Sequence, residues 1–122
     1  MKLISVAAAV EVVAGLILIV SPQFFTRLIL GADLDAAGMA IGRVAGFGLF
    51  GLGLACWSGS VQVSGRSAAV RGLLAYNLFA ALFFIYLGIR GTLVGMLLWP
   101  AAALHAVLAI LLARVFILDR RD

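Results

Sequence analysis

The chain of 122 residues is 66% hydrophobic and carries nine Lys or Arg and five Asp or Glu side chains. A soluble domain of this size is about half apolar and a quarter charged, so this chain has too few charges to cover a surface that faces water. Its one cysteine, Cys56, excludes an intramolecular disulfide and every metal or iron–sulfur site built from several cysteines. Four membrane-spanning helices of about 20 residues each would use most of the length, which leaves no room for a soluble catalytic domain.

The first apolar run covers residues 3–20 and is predicted to form the first membrane span. It ends at Ser21 and Pro22, because proline disfavours helix at the residue before it. A cleaved secretory signal peptide is the alternative, since Lys2 precedes the apolar stretch. The run is long for a signal peptide, contains Glu11 in its middle and lacks an Ala-x-Ala cleavage pattern, so we expect it to be retained.

Residues 23–30 (QFFTRLIL) are too few to cross a bilayer, yet their apolar and polar side chains alternate at helical spacing. This pattern predicts a short amphipathic helix that lies at the membrane interface. Gly31 is expected to end this helix, and an acidic turn at 32–35 leads into the next span.

Three further spans are predicted at residues 38–57, 70–89 and 93–115. The segment 58–69 is rich in serine and glycine and is predicted to be a loop exposed to water. Pro100 lies inside the last predicted span, where it should kink the helix or loosen its first turn. The predicted fold is therefore all-α, a single-domain integral membrane bundle of four transmembrane helices with an interfacial helix after the first span. A transmembrane β-barrel is disfavoured because its strands would alternate apolar and polar residues.

Basic residues flank the predicted spans unequally. With the N-terminus in the cytoplasm, the basic residues on the cytoplasmic side are Lys2, Arg66, Arg71, Arg114, Arg120 and Arg121, and those on the other side are Arg27, Arg43 and Arg90. Because cytoplasmic ends carry the excess of Lys and Arg, we expect both termini on the cytoplasmic side of a bacterial inner (plasma) membrane. Topology and anionic lipid then explain the net charge of +4, and no nucleic-acid partner is expected.

Gly38, Gly42 and Gly46 recur every four residues in the second predicted span. Small residues at this spacing let helix backbones approach closely in a membrane, so the three glycines are predicted to form a packing face. The face serves either the bundle itself or a contact with a membrane-protein partner or a second copy of the chain. Small residues also flank Glu11 and His105, so both side chains should face another helix rather than lipid.

Four polar residues are predicted to lie at similar depth and form a candidate intramembrane cluster. At 1.5 Å per residue, Glu11 and Asn77 lie about 12 and 10 Å from the cytoplasmic starts of their spans, and His105 about 15 Å from the cytoplasmic end of its own. Arg43 lies roughly one helical turn above them. Glu11 is interpreted either as a proton or cation site or, in the favoured alternative, as a structural latch that pairs with Arg43 or bonds to Asn77.

The same residues supply no recognisable catalytic or metal site. His105 is the one histidine in the chain, so a zinc or haem site with two imidazoles is excluded, and a structural histidine is favoured over a ligand. Asn77 is interpreted as hydrogen-bonding glue between helices. The sequence contains no P-loop, dinucleotide fingerprint or metalloprotease motif. We therefore predict no catalytic residue, no metal and no cofactor.

Two family resemblances rest on these residues. The order of spans, Pro22 after the first span, Arg43-x-x-Gly46 and the later glycine-rich run resemble the small four-helix DoxX-like membrane proteins and related uncharacterised families. This resemblance implies an accessory protein of a bacterial inner membrane and identifies no reaction. The chain is also similar to the small multidrug resistance exporters, which have four spans and an essential glutamate in the first span, where Glu11 lies. Arg43 and His105 depart from the largely uncharged interior of those exporters.

Two functional hypotheses follow from the sequence, with a membrane enzyme third. The leading one is a non-enzymatic accessory, assembly or interaction subunit of a membrane complex, supported by the glycine face and by the lack of a catalytic constellation. The alternative is a small proton-coupled transporter that acts as a homodimer, with Glu11 as the titrating site.

Overall fold

The computed structural model describes residues 2–57 and 66–118, with the backbone alone at 66 and 67. These residues form five α-helices and no strand: α1 (Lys2–Val20), α2 (Pro22–Leu30), α3 (Ala36–Ala55), α4 (Arg66–Arg90) and α5 (Leu98–Leu118). Four of the five, α1, α3, α4 and α5, are long and apolar enough to cross a membrane. The predicted all-α class is therefore confirmed, as is the presence of four helices of membrane-spanning length.

The start of α3 is set by a side-chain cap. The helix begins at Ala36, slightly before the predicted start at 38, because the Asp35 carboxylate accepts a hydrogen bond from the Gly38 N–H at 2.7 Å. Such a cap satisfies one of the first backbone N–H groups, which have no partner inside the helix.

The start of α4 differs from its predicted position. α4 begins at Arg66, so the last part of the predicted loop 58–69 is helical instead. The rest of that loop, 58–65, lies outside the described residues, as do Arg120 and Arg121, which entered the prediction of orientation.

Pro100 begins a helix and does not interrupt one. α5 starts at Leu98, later than the predicted start at 93, which puts Pro100 in its first turn. The N–H that proline lacks is not needed there. The following residue, Ala101, donates its N–H to the Leu97 carbonyl at 2.9 Å. The first turn is therefore closed, and the expectation of a kinked or loosened helix was wrong.

The long helices pack mainly as two pairs, α1 with α3 and α4 with α5. In the first pair the two backbones touch at glycines. A Cβ atom added to Gly15 would lie 2.6 Å from the Phe50 backbone nitrogen and 2.8 Å from the Gly46 carbonyl oxygen. One added to Gly53 would lie 2.7 Å from the Ala8 carbonyl oxygen. No side chain fits at these positions without moving the helices apart.

The predicted glycine face is used within the chain. Gly46 packs on the Gly15 carbonyl of α1, and a Cβ added to Gly42 would lie 2.8 Å from the Pro22 Cβ. Gly38 lies against Leu34, in the turn that precedes α3. Of the two predicted alternatives, the structure shows packing within the bundle, because α1 and Pro22 cover Gly46 and Gly42.

Two apolar clusters lie between the helices. The larger brings together residues of α1, α4 and α5 with the cysteine at the end of α3: Ile4, Ala7, Ala8, Cys56, Ala69, Val70, Leu73, Leu108 and Leu112. The smaller consists of Ile29 of α2, Leu87 of α4 and Leu98 of α5. The larger cluster therefore joins the two helical pairs, and the smaller one joins α2 to the second pair.

The short helix α2 confirms the element predicted at 23–30. Ser21 caps its start by accepting a hydrogen bond from the Phe24 N–H at 3.4 Å, and Pro22 occupies the first helical position. Gly31 ends the helix in the left-handed conformation, with φ of 67°, which glycine adopts without steric cost. The amphipathic pattern therefore predicted both the helix and its end.

The C-terminal end of α2 docks onto the segment between α4 and α5. The Leu28 carbonyl accepts a hydrogen bond from the Leu97 N–H at 2.8 Å, and the Ile29 carbonyl accepts one from the Gly95 N–H at 3.0 Å. The backbones are so close that a Cβ on Gly95 would collide with the Leu28 carbonyl. Because the last carbonyls of a helix lack partners inside it, these bonds fix α2 to the second helical pair.

An exposed ion pair ties α2 to the turn before α3. Arg27 Nε lies 2.6 Å from Asp33 Oδ1, and Gln23 donates a hydrogen bond to the same oxygen. Gln23 Oε1 in turn accepts one from the Leu34 N–H at 2.9 Å. The hydrogen bond from Arg27, and then its charge, hold the pKa of the Asp33 carboxyl below its usual range.

We expect Gly15→Ala to destabilise the protein, because the added methyl group meets backbone atoms of α3 that cannot rotate away. Overpacking of this kind costs about 1–3 kcal/mol. Gly51→Ala is the matched control, since a Cβ there meets nothing within 4 Å. Unfolding of both variants in mixed detergent micelles measures the difference, and equal stability of the two would contradict the close α1–α3 packing.

The Arg27–Asp33 contact predicts that the stability of the folded protein depends on pH in the acid range. Because the folded pKa of Asp33 lies below its unfolded value, the stabilisation is present above the unfolded pKa and is lost as the pH falls through the folded one. We expect Arg27→Gln to move the pKa of Asp33 upward, and the control Arg90→Gln to leave it in place. Titration of the ¹³C-labelled carboxyl group by NMR reports both values, and an unmoved Asp33 pKa in Arg27→Gln would show that the pair does not form.

Candidate functional site

Three of the four predicted polar residues meet in the interior of the bundle. Glu11 on α1, Asn77 on α4 and His105 on α5 are 0%, 0% and 8% exposed. The Asn77 Nδ2 donates to Glu11 Oε1 at 3.2 Å, and His105 Nδ1 lies 2.7 Å from Asn77 Oδ1. One hydrogen-bonded chain therefore links both helical pairs, and we call these three residues the polar network.

The small residues around the network explain how the sequence builds it. Ala7 and Gly15, one turn before and after Glu11, are buried on the same face of α1. Ala102 and Ala109 flank His105 on the buried face of α5 in the same way. Short neighbours bring the backbones close enough for polar side chains of moderate length to reach across.

The orientation of the Asn77 amide is fixed by the backbone of its own helix. Its Nδ2 also donates to the Leu73 carbonyl oxygen at 2.9 Å. If the amide were rotated by half a turn, two oxygens would face each other at this distance, so the nitrogen belongs there. The Asn77 Oδ1 then faces His105, and because an amide oxygen only accepts hydrogen bonds, the proton must lie on His105 Nδ1.

Glu11 has one carboxyl oxygen bonded and one without a partner. Within the described residues, Glu11 Oε2 is the buried side-chain polar atom with no hydrogen bond. Buried polar groups are nearly always bonded to protein or ordered water, so an exception in the interior marks a place where a water molecule or an ion has a reason to bind.

Arg43 is separate from the polar network, and the predicted pairing of Arg43 with Glu11 was wrong. Its side chain is exposed on α3, whereas the Glu11 carboxyl bonds to Asn77. The physical reason is the angular position of Arg43 around α3. At 100° per residue Arg43 points about a quarter turn away from Gly42, and the glycines are what pack against α1 and α2. Of the two latch alternatives, the geometry shows the bond to Asn77.

An apolar cavity of about 400 Å³ opens beside the network, between the two helical pairs. It is lined by Ala14, Leu18, Phe25, Ala45, Gly48, Leu49, Leu52, Tyr76, Phe84 and His105. The His105 ring is flanked by two aromatic rings, with its centroid 5.8 Å from Tyr76 in an edge arrangement and 5.7 Å from Phe84. The cavity therefore combines apolar walls with the edge of one imidazole, an arrangement typical of small-molecule sites.

Sequence reasoning did not identify the cavity or its aromatic walls. Tyr76 precedes Asn77 in the chain, and that adjacency was the one available signal that an aromatic hydroxyl lies near the network. Gly48 belongs to the glycine-rich run, yet nothing in the run distinguishes a glycine that borders a cavity from one that packs on a helix.

No protein-family model matches the chain, and no curated protein or solved structure is significantly similar to it. The part of the chain that the structure describes contains no cluster of three His, Cys, Asp or Glu side chains placed to hold a metal ion. The polar network and the cavity are therefore the features that indicate the chemistry of the site.

We expect Asn77→Leu to destabilise the bundle, because it leaves Glu11 Oε1 and His105 Nδ1 buried without partners. Each unsatisfied group costs about 1–3 kcal/mol. Adding Glu11→Leu should recover part of the loss, since one of the orphaned groups is then absent. Unfolding in mixed micelles gives these free energies. Arg43→Gln is the control and should match the wild type, while a loss as large as that of Asn77→Leu would support an ion pair with Glu11 instead.

Proposed function

We propose that this chain is a multi-pass protein of a bacterial inner membrane that acts as a non-enzymatic interaction or accessory subunit of a membrane complex. α1, α3, α4 and α5 are the spans, both termini lie in the cytoplasm, and α2 lies at the outer surface. The four helices of membrane length and their many exposed apolar side chains support the insertion.

The contacts of α2 support this topology. In an arrangement with both termini inside, α2 and the segment between α4 and α5 emerge on the same side of the membrane. Their mutual hydrogen bonds, from Leu97 to Leu28 and from Gly95 to Ile29, support that common side, and the distribution of basic residues favours the outer one. The exposed Arg27–Asp33 pair at the same end suits a position in the headgroup region.

The observation that carries the proposed interaction is the position of Arg43. Its neighbours on the outer face of α3, Val44 and Phe47, are apolar side chains 66% and 58% exposed. No described residue pairs with its guanidinium group. Arg43 lies about 10 Å along the axis from the start of α3, so its charge enters the apolar layer from the outer side. Charged residues within spans are costly unless they are paired.

The partner that fits this face is a transmembrane helix of another protein with a carboxylate at the depth of Arg43. A carboxylate would receive two parallel N–H bonds from the planar guanidinium group, and Val44 and Phe47 would pack beside it. We call this surface, defined by Arg43, Val44 and Phe47, the Arg43 face. It replaces the glycine face of the sequence prediction, which is covered within the chain. The resemblance to DoxX-like proteins agrees with an accessory role and stays a prediction.

Photo-crosslinking in native membranes tests the Arg43 face. A photoreactive phenylalanine analogue at Val44 should form an adduct with one membrane protein, whose crosslinked helix carries an Asp or Glu. The same analogue at Val107, an exposed valine of α5, is the matched control and should label lipid. Arg43→Leu should abolish the Val44 adduct and Arg43→Lys should retain part of it. Arg43→Glu combined with replacement of the partner's acidic residue by a basic one should restore the adduct.

Lipid adducts alone at Val44 would contradict the proposal and assign Arg43 to a lipid phosphate. An adduct with a second copy of this chain would instead favour the alternative, a small proton-coupled transporter acting as a homodimer. The specific observation behind that alternative is the unpartnered Oε2 of Glu11. The transporter alternative further requires that adding tetraphenylphosphonium to the reconstituted protein releases protons, and that Glu11→Gln abolishes this proton release.

A further inference from the structure

We propose that the cavity between the helical pairs is a binding site for a small aromatic molecule with a hydroxyl group, whose O–H donates a hydrogen bond to His105 Nε2. This inference is independent of the Arg43 face, because the cavity lies on a different side of α3. It assigns a role to polar groups of the cavity wall, on His105 and Tyr76, that the contacts between the described helices leave without hydrogen bonds.

Among the described residues, no partner forms a hydrogen bond with the Nε2 nitrogen of His105. The Leu73 carbonyl fixes the Asn77 amide, and the amide oxygen holds the imidazole proton on Nδ1. The side chains that contact the ring directly, Asn77, Tyr76 and Phe84, are uncharged, and the carboxyl group of Glu11 lies beyond the Asn77 amide. Burial among uncharged contacts favours the neutral imidazole. In that form Nε2 has a lone pair and no proton. A ligand that satisfies it must therefore donate a hydrogen bond.

The volume and the lining of the cavity suit a small aromatic ligand. Its volume of about 400 Å³ lies in the range of small-molecule sites. Three aromatic rings, that of Phe25 on α2 and those of Tyr76 and Phe84 on α4, line it together with aliphatic side chains. Aromatic walls favour a flat ring through offset or edge-on contacts, so the apolar body of the ligand is assigned as an aromatic ring.

Tyr76 supplies a second polar group at the same site. Its ring meets that of His105 edge-on, and no described residue forms a hydrogen bond with its hydroxyl group. A phenolic hydroxyl both donates and accepts. It can therefore accept from or donate to the ligand oxygen that is bonded to His105. A lipid acyl chain would fill the volume but leave both groups unsatisfied.

The route of entry runs past α3. Gly48 and Ala45 border the cavity and are exposed, and a Cβ added to Gly48 would meet nothing within 4 Å. α3 and α4 make few contacts with each other. An apolar molecule dissolved in the bilayer can therefore enter sideways between these helices without passing through water.

The single histidine of the chain makes the proposal directly measurable. Labelling with ¹⁵N-histidine places the signal on His105 alone, and the spectrum distinguishes a protonated from an unprotonated nitrogen. In lipid nanodiscs we expect Nδ1 protonated and Nε2 unprotonated. Adding 2-naphthol should shift the Nε2 signal toward that of a hydrogen-bonded nitrogen. 2-Methoxynaphthalene, which has the same rings and no O–H, should leave it unchanged.

Two glycine variants locate the site. Gly48→Leu fills the cavity mouth and should weaken 2-naphthol binding by about tenfold or more, the equivalent of one lost favourable contact. Gly51→Leu is the matched control, since that glycine also has open space around it but does not line the cavity. It should bind as the wild type does.

Four results would overturn the proposal. The first is a proton on Nε2 in the free protein. The second is an equal shift with 2-methoxynaphthalene, which would indicate partitioning into lipid without a hydrogen bond. The third is 2-naphthol binding that Gly48→Leu does not weaken. The fourth is the absence of any shift with 2-naphthol, which would assign the cavity to an acyl chain. The ¹⁵N spectrum of the wild type gives the first, second and fourth results without any substitution.

Discussion

The amide of Asn77 makes the hydrogen bonds on which the interior of this bundle depends. It bonds simultaneously to Glu11 of one helical pair, to His105 of the other and to the backbone of its own helix. A buried polar group has to find such partners or be strongly destabilising. The two pairs consequently have one relative position in which all these bonds form, and the larger apolar cluster supports that position without specifying it.

Backbone atoms at glycines make direct contact both where α1 packs on α3 and where α2 docks. Where Gly15 and Gly46 meet, backbone atoms of the two helices are in direct contact, and the Ile19 side chain packs against Gly46 beside them. Where α2 meets the segment before α5, hydrogen bonds from Gly95 and Leu97 do the joining. The closest packing lies within the two helical pairs and where α2 docks, and the cavity lies between the pairs.

The sequence predicted much of the fold because apolar runs, helix caps and the end of α2 at Gly31 are local signals. It also predicted that Glu11, Asn77 and His105 lie at similar depth, since the helical rise is constant. It misassigned Arg43, because the direction in which a residue points depends on which face of α3 packs, and several glycines offered competing faces. The late start of α5 escaped prediction because Gly95 and Leu97 bond to the end of α2, a contact between segments far apart in the chain. The cavity escaped it because its walls come from five different helices.

The amide at the centre of the network also restricts what can move through it. Glu11 and His105 are the two groups there that exchange protons, and Asn77 separates them with a side chain that has no acidic or basic form near neutral pH. A proton on the imidazole therefore has no path to the carboxyl group through the hydrogen bonds observed. The network therefore links the orientations of its members and does not transfer protons. Rotating the Asn77 amide would exchange the donor and the acceptor that it offers to Glu11 and His105. The tautomer of His105 and the hydrogen bonding of Glu11 therefore depend on each other.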